Sequence, residues 1–587
     1  MVSSAVLRCR PRPPASAAMP IIQTSAHCRA HLPRRPSGWR ARSGHGRCSA
    51  IDSSNITPLC AAMRRTRSRA MCRRLNAPAT CSTFDDPGPM TRTNPRETAM
   101  TALEQYAQDP ERLDKVARVR ALIDELDIEY IYYQFISVTG RVMGKGAPAD
   151  HWESLATKGF QLVYGSTANL FLSRGGRYLG YGPEASELVG IADPETFVQL
   201  PWEPKVARVF CTLFRNREEP TGAGDVLTSD CRGNLKRAHA AFKEKHGLEL
   251  RLGTEPEMMW LKKGPDGLPD GGVTKPNCYH IDQFEELRPI TLKVIEYCRR
   301  MGLDAIQGDH EDAPGQLELN WTFDDVERTA DRLTTYRQIC AQVAREFGVI
   351  ACFMSKPFMH VSANGCHHNF SLWTEGTPEV KSLGGSERYG MPDVFTYTKG
   401  GENRFMPDGT DPRMPQTTGV FAAGGIVKHL PALTAIGAST VNSYRRMMDQ
   451  GYWAPVYANW GYQNRTCALR VSAPGRFEYR SVDSMVNPYL LNAALLAAMD
   501  EGLSDRVDPG PLEQTNIYEM ELAGEAVSKL PMCLGDALDA ITADDVIRAA
   551  LPGEMWDVFI DYKTDEWERF LATVTDWDLS TYIDCLP

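Results

Sequence analysis

The chain has 587 residues, 42% of them apolar and 24% charged, with a formal net charge of −9. That length allows two folded domains with a well-buried core, and the acidic balance leaves no nucleic-acid footprint. Runs of roughly 18 consecutive apolar residues are absent, so no membrane span is predicted and a soluble, cytoplasmic protein is expected.

Residues 1–99 differ from the rest. They hold 17 Arg and no Lys, against Asp52, Asp85, Asp86 and Glu97 as the acids, and they lack hydrophobic periodicity. This composition predicts a disordered leader. It also suits a transit peptide or a basic arm, but no amphipathic stripe organises the arginines, and Met100 directly precedes the first helical pattern. A translation start at Met100 is the simpler expectation. Six of the 16 cysteines fall in this stretch. The other ten sit singly in apolar patterns with no CxxC pair, which reads as reduced core cysteines.

From Leu103 onward a folded pattern begins. Val116, Val119, Leu122, Ile123 and Leu126 form a helix-period stripe, followed by a strand from Tyr130 to Val138 that ends at a Gly140 turn. A small α+β domain is expected over 100–204, and a larger one over 205–587. In the larger domain, helices are predicted at Asn234 to Lys245 and Val326 to Phe347, alternating with strands.

The chemistry lies on those strands. In Leu248-Glu-Leu-Arg-Leu-Gly-Thr-Glu-Pro-Glu257 the period of two puts Leu248, Leu250 and Leu252 on one face and Glu255 and Glu257 on the other. Two acids on a strand face commonly serve only solubility. A second such strand follows the Pro314-Gly315 turn, where Gln316, Glu318 and Asn320 alternate with Leu317, Leu319 and Trp321, and Glu311 precedes the turn. On a third, His367, Asn369 and Ser371 alternate with His368, Phe370 and Leu372; His368 reads as a satisfied core histidine. A fourth carries Arg476, Glu478 and Arg480 opposite Phe477 and Tyr479. Several carboxylates with one imidazole and no thiolate suit Mg²⁺ or Mn²⁺, and arginines among them imply an anionic ligand. Phosphoryl transfer needs that combination to neutralise the moving oxygens. No Walker or kinase glycine loop is present.

The ordered series Gly253-Thr-Glu-Pro-Glu257, Glu311-Asp-Ala-Pro-Gly-Gln-Leu-Glu318, Lys356-Pro-Phe, Asn364-Gly-Cys-His367, Val441-Asn-Ser-Tyr-Arg-Arg446, Asn464-Arg-Thr-Cys-Ala-Leu-Arg470 and Asn487-Pro-Tyr-Leu490 resembles the glutamine synthetase family from about Val116 to the C-terminus. The resemblance implies an α+β fold with an N-terminal β-grasp domain and a C-terminal catalytic barrel. It also implies a homo-oligomeric double ring, a dodecamer, with active sites completed between subunits. By position, Glu257, Glu311 and Glu318 would hold one metal ion, and Glu255, His367 and Glu478 another. Arg446 and Arg480 would clamp glutamate, and Arg465 the transferred phosphoryl group. Asn369, Ser371, Arg470 and Arg476 would contact ATP. The implied reaction phosphorylates the γ-carboxylate of glutamate with ATP, and an amine then displaces phosphate.

Departures from the family pattern bear on the amine. Ammonia-using members carry an Asp in an Asp-Gly-Ser-Ser segment, where this chain reads Tyr164-Gly-Ser-Thr. They carry a Glu before an Ala-Pro dipeptide, where Trp453 stands here. Losing both carboxylates disfavours ammonium, since aromatic faces return only about 0.5–2 kcal/mol to a cation. An organic amine recovers roughly 0.8 kcal/mol per buried methylene. Together with Leu534-Gly-Asp-Ala-Leu-Asp-Ala and Thr575-Asp-Trp-Asp578, this resembles glutamate–methylamine ligases and related γ-glutamylamide synthetases. Ser362-Ala363 also departs from the family's Asn-Gly. An ammonia-using synthetase and a non-catalytic relative are the alternatives, and Tyr518 reads as a surface tyrosine near a position that some members modify.

Overall fold

The computed structural model describes residues 100–382, 394–409, 411–448, 453–524 and 528–584. The first 99 residues, and with them the leader reading and its six cysteines, lie outside the described residues. The protein is a mixed α/β structure built on two sheets.

The smaller sheet comprises β1 (Tyr130–Ile136), β2 (Val142–Pro148), β3 (Phe160–Leu162), β4 (Leu188–Ala192), β5 (Val198–Leu200) and β6 (Glu203–Arg215), in the order β2-β1-β6-β4-β3 with β5 beside β6. β6 pairs in parallel with β1 and antiparallel with β4. The expected domain boundary at 204 therefore falls on a central strand of this sheet and is corrected: without β6 the sheet would separate into halves. The helix Pro110–Glu125 packs on it through Val116, Val119 and Ile123, in one apolar cluster with Tyr133, Trp152, Ala207 and Val209. Leu122, expected in the same stripe, is exposed. It stands about 100° of helix rotation from Ile123 and so falls off the buried face.

The larger sheet takes ten strands from β7 (Glu249–Lys263), β8 (Pro269–Gly272), β9 (Ala305–His310), β10 (Gln316–Trp321), β11 (Asp324–Asp325), β12 (Val349–Cys352), β13 (Cys366–Trp373), β16 (Trp460–Tyr462), β17 (Leu469–Ala473) and β18 (Arg476–Tyr479). Between these in the chain, β14 (Thr377–Ser382) and β15 (Val394–Lys399) form a separate antiparallel pair. The path runs β16-β17-β18-β13-β7-β10-β9, with β8, β11 and β12 also on the long β7. Leu250 and Leu252 of β7 are fully buried, each contributing roughly 1.5–3 kcal/mol. Their face packs toward the helices, and the alternate face is left for polar side chains.

The predicted helices form. Cys231–His246 ends in the left-handed Gly247, and Val326–Phe347 starts on Asp325, whose carboxylate accepts the Glu327 amide at 2.9 Å. Arg232 joins the two parts of the chain, donating to Asp193 beyond β4 at 2.8 Å and to Asp331 of the Val326–Phe347 helix at 3.0 Å. The helix Thr417–Gly437 is the one described helix apolar and long enough to cross a bilayer, but most of it is buried, largely against the helix Pro488–Asp505.

His429 on that apolar helix bridges two carboxylates, Glu501 at 2.5 Å and Asp544 at 2.6 Å, with Lys428 also on Glu501 at 2.8 Å. Asp544 in turn caps the helix Asp545–Ala549 through the Val546 and Ile547 amides. Burial lowers the His429 pKa, but the two carboxylates outweigh it and the net shift is upward; Asp544 and Glu501 are shifted down. A raised imidazole stabilises fully below its ordinary value, about 6.5, and loses that contribution as pH rises through the folded value. The Tm gap between wild type and His429→Gln should therefore be larger at pH 6 than at pH 9. A gap independent of pH would show that the charge contributes nothing.

Candidate functional site

The polar faces of adjacent strands meet because the pairing aligns them. β13 lies between β7 and β18, with His367 opposite Glu255 and Asn369 opposite Glu478. On the other side of β7, Glu257 faces Glu318 of β10, which faces Asp309 of β9. Side chains at every second residue point the same way, so this register puts one row of acids across one face. They line a cleft of about 1400 Å³ together with Glu311, Ser371, Trp453 and Arg465, Arg470, Arg476 and Arg480.

Two carboxylate groups share the cleft. In one, the ligand atoms of Glu255, His367 and Glu478 all lie within 4.8 Å of one another, with His367 Nδ1 3.7 Å from Glu255 and 3.6 Å from Glu478. Burial would raise the Glu478 carboxyl, but Arg480, His367 and Arg470 prevail and bring it down to about 2. Arg470 Nη1 reaches it at 2.5 Å, and Arg480 Nη1 also donates to it. In the other group, Glu257, Glu311 and Glu318 do not draw together as tightly. Burial, then Glu257 and Asp309, push Glu311 up to about 8, and burial with Glu255, Glu257 and Glu311 pushes Glu318 well up. Clustered anions without a counter-charge behave this way. The donor set, carboxylate oxygens with one imidazole nitrogen, fits hard divalent cations.

The main chain allows this crowding at Gly365. A Cβ there would stand 3.0 Å from His367 Nε2 and 3.1 Å from Glu257 Oε1, while the Gly365 amide donates to Glu257 Oε2 at 2.9 Å. Gly365→Ala should push the histidine and the glutamate out of register and weaken Mn²⁺ binding about ten- to a hundredfold, the usual cost of disturbing ligand orientation. Calorimetric titration with Mn²⁺ checks this, and unchanged affinity would overturn it.

His239, Asp325 and Glu327 form a second cluster with ligand-like spacing. His239 Nε2 accepts the Leu250 amide at 3.1 Å, so Nδ1 carries the proton and faces Glu327 at 3.4 Å as a donor. This group ties helix to sheet and offers no nitrogen lone pair to a metal. His368 is fully buried, with Nδ1 2.8 Å from the Cys366 carbonyl, and burial lowers it to about 4, in line with a core role.

The cleft brings together every sequence-derived candidate except two. Arg446 is buried behind the cleft wall, its Nη2 donating to the Arg480 carbonyl at 3.3 Å. Tyr164 is buried in the smaller sheet's region, where its hydroxyl and that of Tyr181 donate to Glu554, which Arg215 also binds. Neither side chain lines the cleft within this chain. Trp453 does line it, with 59% of its surface exposed and its backbone at φ +64°. For a bulky residue that conformation costs about 1–3 kcal/mol. Of the nine described cysteines six are buried, but Cys278 is exposed in the cleft beside Glu311, which corrects its reading as a core residue. Ser362 donates to Asp312 at 2.7 Å.

Several lining residues were not anticipated. Trp373 continues the alternation 367, 369, 371 by one more step, and Arg251 precedes Gly253 and Glu255 in the same way, so strand period alone would have found both. Arg251 lies 4.5 Å over the Trp373 ring, and Phe323 stacks on that ring at 6.0 Å. Asp309 had no motif to signal it and enters through the pairing of β9 with β10.

Fold and site together describe a mixed α/β protein whose cleft gathers candidate metal-binding carboxylates and several arginines. The family profile described as glutamine synthetase, catalytic domain, matches residues 228–401 and 395–582. A glutamine synthetase of Pyrococcus furiosus is 33% identical over 477 residues, covering 78% of this chain and 96% of the relative. A glutamate–methylamine ligase of Methyloversatilis universalis is 30% identical over 482 residues, covering 80% and 99%. Among solved structures, a GmaS/ADP complex has a TM-score of 0.68 at 29% identity, covering 79% of this chain and 99% of that one. The chain belongs to the glutamine synthetase family. It is a ligase of that family, whose members act on glutamate, ATP and a nitrogen substrate and typically use divalent metals. Relatives of both names stand at like identity, so the nitrogen donor has to be argued from this chain's own residues.

Proposed function

We propose that the protein joins an organic amine to the γ-carboxyl of glutamate, forming a γ-glutamylamide by way of γ-glutamyl phosphate. The observation that carries this reading is Trp453, whose indole is exposed in the cleft and whose backbone carbonyl accepts from Arg480 at 3.1 Å. An indole there offers apolar surface to an alkyl group and no charge to ammonium.

In this reading Glu257, Glu311 and Glu318 would hold one divalent cation, Mg²⁺ or Mn²⁺, and Glu255, His367 and Glu478 would hold a second. Such ions neutralise charge on the transferred phosphoryl oxygens. Arg480, with Arg446 braced behind it, fixes the glutamate carboxylate, and the γ-carboxylate attacks the terminal phosphorus of ATP, breaking its bond to the bridging oxygen and releasing ADP. Arg465, which has no carboxylate partner among the described residues, is free to meet the phosphoryl group. Asn369, Ser371, Arg470 and Arg476 hold the nucleotide, with Phe323 and Trp373 as a flat wall beside them. The neutral amine nitrogen then adds to the acyl carbon, phosphate leaves and the nitrogen gives up one proton to phosphate or solvent, because a carboxylate becomes a good electrophile only once one oxygen can depart. Tyr164, its hydroxyl directed to Glu554, supplies no carboxylate to the nitrogen donor.

The smaller sheet is read as a β-grasp domain and the ten-stranded sheet as the catalytic barrel of the family. The dodecameric ring is what the family resemblance implies; a subunit contact of some kind is supported by the C-terminal helix Asp576–Tyr582, which buries none of its residues and exposes Trp577, Leu579 and Tyr582. Contiguous exposed apolar surface marks interaction sites, and these side chains share one short element.

The test is phosphate release with glutamate and Mg·ATP across ammonium, methylamine, ethylamine and larger primary amines. An organic amine should have the highest kcat/KM. A preference for ammonium would favour the second reading, an ammonia-using synthetase, which the relative at 33% identity supports. No release with any amine would leave a non-catalytic relative, a reading that the complete set of metal carboxylates disfavours.

A further inference from the structure

Tyr518 is not a surface tyrosine. It lies on the short helix Ile517–Leu522, half-buried, with its ring centroid 6.2 Å from that of Tyr457, and its hydroxyl donates to the Ala454 carbonyl at 2.6 Å. The carbonyl before it, that of Trp453, accepts from Arg480 Nη2 at 3.1 Å. Two consecutive carbonyls of one turn are thus each held by a side chain from elsewhere in the fold. Between those two carbonyls lies Ala454, directly after a tryptophan whose backbone sits in the left-handed region. A bulky residue keeps such a conformation only where its surroundings over-determine it.

The ground on which Tyr518 stands is itself tied to the cleft. Asn464 Nδ2 donates to the Glu513 and Thr515 carbonyls at 3.2 and 2.9 Å, and the Ile517 amide reaches Thr466 Oγ1 at 3.4 Å. Asn464 and Thr466 flank Arg465, which lines the cleft. Ile517 is buried beneath, and the Glu513 amide donates to the Trp460 carbonyl at 2.9 Å. The segment from Glu513 to Tyr518 therefore spans from the Arg465 loop to the Trp453–Ala454 turn.

We propose that Tyr518 is a positioning residue for the nitrogen donor, its hydroxyl holding the Trp453–Ala454 turn at the orientation in which the indole forms the amine subsite. The proposal rests on the reading that Trp453 lines that subsite. Tyr518 touches no substrate. It acts through the carbonyl of Ala454 on the residue before it, and its anchorage beside Arg465 ties the Trp453–Ala454 turn to the loop that carries that arginine. A tyrosine present only for packing would serve equally well as phenylalanine, because the ring contact with Tyr457 does not involve the hydroxyl.

The test is Tyr518→Phe, assayed with methylamine and with ammonium, each against glutamate and ATP, in the wild-type and Trp453→Ala backgrounds. In the wild-type background the KM for both amines should rise about three- to tenfold, the range for losing one neutral hydrogen bond, while the KM values for glutamate and ATP stay within about twofold. In the Trp453→Ala background the same substitution should leave amine KM unchanged, since the group through which it acts is gone. A uniform rise in all KM values, an equal effect in both backgrounds, or a fall in Tm with normal amine kinetics would overturn the proposal. Failure of the reading beneath it appears separately: Trp453→Ala alone would then leave amine KM at the wild-type value. A wild-type preference for ammonium would change the substrate but not the coupling between Tyr518 and Trp453, which is read as a ratio for each amine.

Discussion

Glu318→Ala is expected to lower the rate of phosphate release by at least about a thousandfold at saturating Mg²⁺, and Glu257→Ala to do the same. These two carboxylates face each other across β7 and β10, with Glu311 and Asp309 close by. Burial and mutual repulsion raise Glu311 and Glu318 strongly, so the cluster is held in readiness for positive charge. In the proposed reading, removing one carboxylate would leave the remaining set short of ligands and the phosphoryl oxygens without full neutralisation in a site of low dielectric. Cation binding here competes with protons. Because Glu311 has to be ionised to ligate, apparent Mn²⁺ affinity should rise as pH increases toward about 8. The checks are turnover with glutamate and Mg·ATP, and Mn²⁺ titration of each variant at two pH values. Rates within tenfold of wild type in either variant, or full activity in excess chelator, would remove these residues from the metal site.

Trp453→Glu is expected to move selectivity toward ammonium by about ten- to a hundredfold, from roughly 1.5–3 kcal/mol for one regained charge-assisted contact. The substitution replaces apolar surface with a carboxylate that resists desolvation, so an alkyl group loses its place while a small cation gains a partner. Backbone strain stays the same, because neither tryptophan nor glutamate favours the left-handed conformation at this position. Two features limit the gain. Tyr164 still supplies no carboxylate, and Arg480, whose Nη2 holds the Trp453 carbonyl, competes for the new charge. The measurement is the ratio of kcat/KM for ammonium to that for the best organic amine in wild type and variant. An unchanged ratio in an otherwise active variant would show that the indole does not select the amine.

Strand periodicity alone determined which side chains could share a face. Glu255 with Glu257, Gln316 with Glu318, His367 with Asn369 and Ser371, and Glu478 with Arg480 were legible because alternation is a property of the extended backbone and needs no partner strand. The long helix Val326–Phe347 was equally legible, since its cap on Asp325 and its stop at Gly348 are local. The family resemblance implied roles for these residues but not their geometry.

Which faces meet was decided only by the tertiary structure. β13 is inserted between β7 and β18, strands far from one another in the chain, and that register brings His367 to Glu255 and to Glu478. Long-range pairing also brought Asp309 into the row and made β6 the centre of the smaller sheet, across the boundary expected at 204. Arg446 went behind the wall, and Tyr164 to Glu554 at the start of the helix Glu554–Leu571, because the destination of a long side chain depends on what packs against it from elsewhere in the fold. Tyr518 has the same lesson: its neighbours in sequence do not contain Ala454, and only the folded chain supplies the carbonyl that its hydroxyl meets.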